Sequence, residues 1–216
     1  MNISKIAGAV LAVVALSANA MPQHQGGSHG ATPHGGTSHG MAGHDMSKMQ
    51  SMHKSSLNAA KAPHELQFLD TMAMHHKMAM HMAGLVESNS SNQALKDMAK
   101  KMIADQEKEI AQLKTWKEQW YVGKPEAVNM KMVGMAASMK GMSHEKLMSA
   151  KGEAFDRIYI DMMTQHHEGA VKMAQAASPK LKHAEAKEFA KMVVDKQTKE
   201  IAQMAEMKKS WGAAKM

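Results

Sequence analysis

The stretch MAMHHKMAMHM (72–82) sets five methionines and three histidines within eleven residues. Thioether sulfur is a soft donor, and neutral imidazole accepts copper in either oxidation state. The combination suits Cu(I) first, then Cu(II) on the imidazoles, and Ag(I) should behave like Cu(I). Zinc more often takes histidine with cysteine or carboxylate and would not explain the sulfurs. Methionine is also an adaptable core filler, so spacing has to separate the two roles. Residues three and four apart share a helical face. Met72 and His76 are four apart, and His75 and Met82 lie two turns apart on one face. Adjacent His75 and His76 diverge by about 100°. One ring of the pair is therefore expected to face a core and the other a flanking groove.

The pattern returns 91 residues later, from 75 to 166. DTMAMHHKMAMHMA (70–83) aligns without a gap on DMMTQHHEGAVKMA (161–174), and KEIAQ (108–112) on KEIAQ (199–203). Gln106 falls on Gln197, Trp120 on Trp211 and His53 on His144. A gapless match of this length indicates duplication. Both copies keep Met72/Met163, His75/His166, His76/His167 and Met82/Met173, within D-x-M-x-x-H-H-x-x-A-x-x-M-A. These eight residues are the main metal candidates. Met78, Met80 and His81 belong to the first copy only and are weaker ones. Met98, Met102, Met192 and Met204 read as packing. Gln106 and Gln197 sit on apolar stripes, where they are expected to hydrogen-bond core histidines and orient the rings.

The elements that must carry these residues follow from apolar periodicity. Helical stripes run over 64–88, 93–121, 153–177 and 179–211. Ser88 to Asn92 offers several N-caps, and Gly123-Lys124-Pro125 stops the second helix. Ser178-Pro179 reads as an N-cap followed by proline at the first helical position, and Gly212 can end the last helix. Each half is an αα-hairpin that cannot bury its own apolar faces, so the expected fold is an all-α four-helix bundle. The order along the chain is a signal peptide (1–20), a disordered His/Met-rich tail (21–62), a first hairpin (63–123), a Met-rich linker (124–151) and a second hairpin (152–216). Tail residues His44, Met46, Met49, Met52 and His53, with His144 in the linker, are further weak metal candidates.

MNISKIAGAVLAVVALSANA has Lys5, an apolar run from Ile6 to Leu16 and a small-residue site at Ala18-Asn19-Ala20, with cleavage expected after Ala20. The destination it implies is a bacterial periplasm. No later run approaches the ~18 apolar residues of a spanning helix, so membrane insertion is not expected. The chain has 26 methionines, 3 phenylalanines and no cysteine. In an oxidising compartment, methionine is the soft ligand that cannot form a disulfide. Without the first 20 residues, 26 basic side chains face 20 acidic ones. The lysines are spread along helices among acids, with no basic block and no interleaved aromatics, which argues against nucleic acid.

D-x-M-x-x-H-H-x-x-A-x-x-M-A followed by Q-x-x-E-I resembles the CopM-like family, ferritin-like helical proteins long catalogued as a domain of unknown function. The resemblance covers about 64–121 and 153–212, one unit in each half. It implies a ferritin-like bundle and an exported protein that binds copper through methionine and histidine and contributes to copper tolerance. On matching positions it points to the same eight residues. The first copy departs by reading HHKMA where HHEGA is usual.

The expected function is thus periplasmic copper binding, sequestering or handing on Cu(I)/Cu(II), with other periplasmic copper-handling proteins as possible partners. No enzymatic activity is expected. A ferritin-like di-iron enzyme would need Glu-x-x-His motifs, and the mature chain has none; the acids kept near the histidines are Asp70/Asp161 and Glu109/Glu200. The other alternative is a structural or interaction module with a Met-rich core, binding metal through its tail alone.

Overall fold

A computed structural model of the chain describes residues 54–213, and within them every regular element is helical. Four long helices form two hairpins: α1 (His64–Gly84) with α2 (Gln93–Trp120), and α5 (Gly152–Ala177) with α6 (Ala184–Ala213). Two short helices lie between the hairpins, α3 (Met135–Met139) and α4 (His144–Ser149). α1 and α5 pack on each other at the centre, and α2 and α6 flank them. Lys196 ties the flanks, reaching Asp105 at 3.0 Å and Glu109 at 2.7 Å. The all-α bundle expected from periodicity is the observed fold.

Local sequence explains the boundaries. Asn92 caps α2 by accepting from the Leu95 N–H at 3.1 Å. The last long helix starts at Ala184, not Pro179, which sits in a 3₁₀ turn (Ser178–Lys180). The reason lies in α1. Glu65, 1% exposed, accepts the backbone N–H groups of Lys182 and His183 at 2.8 and 3.0 Å, and also reaches His183 Nδ1 and the Tyr121 hydroxyl at 2.7 Å. One buried carboxylate thus supplies the acceptors that a longer α6 would have provided. Gly212 does not stop α6, which continues to Ala213.

Two segments are more ordered than their composition implies. Residues 54–62, assigned to the disordered tail, include a 3₁₀ turn (Ala59–Lys61). They also pair with the segment between the hairpins: Ser56 N–H donates to Val128 O at 2.8 Å, and Met130 N–H to Ser55 Oγ at 3.0 Å. That segment, read as a linker, is a layer of the fold. Ala127 N–H donates to Asp70, Asn129 N–H to Thr71 Oγ1, and the Asn129 side-chain amide to Gln67 Oε1, at 2.7, 2.9 and 2.7 Å. Polar side chains on α1 satisfy the backbone of an irregular strand of chain, which lets both be buried. This covering is why α1 is buried on nearly every face.

The apolar core forms two clusters. One contains Phe68, Met72, Met78, Met135, Met173 and Phe189; the other contains Met82, Leu95, Met102, Phe155, Tyr159, Met163 and Met204. Met102 and Met204 pack as expected, Met98 lies at the edge of the second cluster, and Met192 is exposed. Along α1 and α5, the histidine pairs fall between the two clusters.

Candidate metal centre

The clusters show how α1 and α5 run. Met72 shares a cluster with Met173, and Met82 with Met163, so the two helices are antiparallel and their histidine pairs meet at mid-height. The rings of His75 and His166 face each other with centroids 3.7 Å apart. All four histidines are fully buried. The expectation of a ring looking into an open groove is therefore corrected. His76 and His167 turn instead to carboxylates on the flanking helices. His76 Nε2 lies 2.8 Å from Glu109 Oε2, and His167 Nε2 lies 2.9 Å from Glu200 Oε2. The second contact is an aligned hydrogen bond; in the first the ring N–H points off the line to the oxygen, leaving an ion-pair contact.

Gln106 and Gln197 do not take the role expected of them. Both are buried, and their Oε1 atoms have no partner. The orienting groups are Glu109 and Glu200, three residues further along the same faces. An ionised carboxylate is the stronger acceptor for a ring N–H.

These contacts assign the protons. A carboxylate only accepts, so His167 Nε2 carries the hydrogen of that bond. His76 Nε2 faces Glu109 without such a bond. Ser138 Oγ lies 2.9 Å from His75 Nε2 and 3.0 Å from Gly134 O. With its single hydrogen on that carbonyl, it accepts from His75 Nε2, which leaves the lone pair of the neutral ring on Nδ1. The Nδ1 atoms of His75 and His167, and both ring nitrogens of His76 and His166, are buried without hydrogen-bond partners. Burial, and next the charges of neighbouring histidines, hold His75 and His166 well below the ordinary 6.5. Their rings are neutral at pH 7 and able to coordinate. Burial alone would raise Glu109, but contacts with His76 and Lys196 outweigh it and keep it below the usual carboxylate range.

Ser138 was invisible to spacing arguments. It stands on α3, and two glycines let it approach. A Cβ on Gly169 would lie 1.7 Å from Ser138 Oγ. Gly134 has φ +93°, and a Cβ there would lie 2.1 Å from Gly169 O. The available signal was the change from Met78 to Gly169 between the copies, which marks a close approach to the second helix. Met135, fully buried beside Met72 and Met173 in one cluster, was missed with it.

Met78 is buried in that cluster, while Met80 and His81 are half-buried. His144 is half-buried at the start of α4, close enough for its charge to depress His166. His44, Met46, Met49, Met52 and His53 lie outside the described residues. The two clusters each combine methionines from both halves, Met72 with Met173 and Met82 with Met163. Among the described residues, no three His, Asp or Glu side chains are placed to hold one ion. Nitrogen and oxygen donors alone therefore do not close a site; a soft ion would need thioethers as well, and both core clusters hold buried methionines. The residues present fit a soft ion.

The family model described as "Domain of unknown function (DUF305)" matches residues 65–208 in one continuous stretch, both hairpins and the layer between them. A comparison with curated proteins found no match. Among solved structures, CopM in the Cu(I)-bound form is 29% identical, covering 68% of this chain and 96% of that one, with a TM-score of 0.58. CopM in an Ag-bound form, obtained by soaking, is 28% identical with the same coverages and a TM-score of 0.57. In its Cu(II)-bound form it is 29% identical, covering 68% and 98%, with a TM-score of 0.57. A DUF305 fragment from Deinococcus radiodurans is 25% identical, covering 68% and 95%, with a TM-score of 0.58. With a family match over most of its length and this likeness to CopM, the chain belongs to the DUF305 family as a CopM-like member.

Proposed function

We propose that this is an exported, non-catalytic copper-binding protein. It takes Cu(I), with Ag(I) able to replace it, into the histidine layer between α1 and α5 and also accepts Cu(II) on imidazole. It then sequesters the ion or passes it to other periplasmic copper-handling proteins, contributing to copper tolerance. One observation carries the reading: His75 and His167 each keep a buried, unpartnered Nδ1 while Nε2 is tied to Ser138 or Glu200, and His76 and His166 have both ring nitrogens buried without a hydrogen bond. A buried acceptor without a donor costs free energy. Anchoring one ring nitrogen to an oxygen is how proteins orient the other toward a metal. The thioethers of Met72 and Met173 lie along the helices on one side, and those of Met82 and Met163 on the other. Export rests on the N-terminal leader pattern, and no described helix is long and apolar enough to cross a membrane.

The test is an anaerobic Cu(I) titration of the mature chain against a competing chelator, read by native mass spectrometry. Replacing His75 and His166 with Gln should remove chelator-resistant copper while the helical circular dichroism is kept. Undiminished resistant copper in that variant would sink the proposal.

A further inference from the structure

The core donors are fully buried, so an ion needs a way in. A cavity of about 200 Å³ opens beside one of them, Met173, and is also lined by His64, Met132, Lys131 and Lys180. Its wall includes Gln67 and Asn129, whose amides are already used. Asn129 donates to Gln67 Oε1 at 2.7 Å, and Gln67 donates to Ala62 O at 2.7 Å. The uncommitted donors are His64 Nδ1, buried and without a partner, and two thioethers. His64, Phe68, Met72 and His75 follow each other at four, four and three residues on one stripe of α1. The cavity and the histidine layer therefore share a face of that helix, about 16 Å apart. Met132, Met173, Met135 and Met72 belong to one continuous buried cluster along that path.

We propose that this cavity is a first-contact site for a soft monovalent ion, held by His64 Nδ1 with the sulfurs of Met132 and Met173, from which the ion moves inward to Met72 and His75. The inward step rests on the copper reading of the core; the contact site stands without it. The donor set is soft and neutral, which suits a soft monocation. Lys131 and Lys180 at the rim repel cations in proportion to charge. Divalent ions pay twice the repulsion of Cu(I) or Ag(I) and gain less from sulfur.

The experiment is a titration of the full mature chain, with ¹⁵N-labelled histidine, by silver nitrate and separately by zinc chloride. Silver should shift the His64 ring signals no later than those of His75 and His166, and zinc should leave them in place. His64→Gln and Met132→Leu should each weaken silver at the cavity by roughly 10- to 100-fold and slow the appearance of the core signals. Two results would overturn the proposal: His64 signals that never move with silver, or core loading at the unmodified rate in both variants. Zinc shifting His64 as strongly as silver would overturn the monovalent selectivity. If His64 moves and the core signals never do, the contact site stands and the copper reading of the core falls.

Discussion

Residue 78 in the first hairpin is methionine, and its counterpart 169 in the second is glycine. Met78 fills the cluster around Met72. Gly169 leaves room for Ser138, which reaches across to His75. Around this difference the halves keep equivalent contacts. Asp70 pairs with Lys117, and Asp161 with Lys208; His76 meets Glu109, and His167 meets Glu200. Duplication thus preserved the frame of each histidine pair, while the layer between the hairpins made the two copies unequal. Of the two central histidines, His75 has an anchored ring nitrogen, and His166 has both nitrogens unpartnered. Equal sequence motifs therefore do not give equal sites.

Exchanging the two residues is the strongest way to break the comparison. Met78→Gly should cost about 2–5 kcal/mol in lost burial, with about 1 kcal/mol more for glycine within a helix. Gly169→Met should drive α3 off α5 and cost about 3 kcal/mol through overpacking. It should also free His75 Nε2. Urea denaturation measures the stability change, and ring ¹⁵N shifts report the His75 proton. A Gly169→Met protein with unchanged stability and an unchanged His75 signal would show that the layer is not held there.

Removing the carboxylates should rank the halves next. Glu109→Ala strips the partner from His76 and one of two partners from Lys196, and should cost roughly 3 kcal/mol. Glu200→Ala disturbs His167 and should cost less, about 2 kcal/mol. Both should weaken copper by about 10- to 100-fold if the glutamates orient metal-binding rings. Equal stability losses would remove Lys196 from the account.

The pH dependence of the metal-free protein sharpens the comparison further. His75 and His166 are held below 6.5, chiefly by burial. Below that pH the unfolded chain binds protons that the folded chain refuses. Stability should therefore be complete above about 6.5 and fall as the pH drops, by up to about 1.4 kcal/mol per pH unit for each histidine. His75→Asn and His166→Asn should each remove about one proton's share of the slope between pH 6.5 and 5. An unchanged slope in either variant would mean that its ring is already protonated in the fold.

The smallest effect concerns the paired aspartates. Asp70 is 9% exposed and also accepts the Ala127 N–H, so Asp70→Asn should cost about 1–2 kcal/mol. The Asp161–Lys208 pair is exposed, and Asp161→Asn should cost under about 0.5 kcal/mol. Thermal denaturation at low and high salt would separate them, with salt erasing only the second.

The sequence by itself determined the helices, their duplication into two hairpins and the histidine and methionine positions, because 3.6-residue periodicity and a gapless repeat are local facts of the chain. It also carried both glutamates, as acids kept near the histidines, without showing their contact. What only tertiary structure decided is which atoms meet. Antiparallel packing joins Met72 with Met173 and Met82 with Met163, across halves that one-helix geometry treated separately. It carries Glu109 and Glu200, rather than Gln106 and Gln197, to the rings, because residues three apart on a helix share a face and only the neighbouring helix chooses between them. It also sets Ser138 on His75 from a segment that reads as linker. That contact depends on backbone approach over Gly134 and Gly169, which no periodicity records.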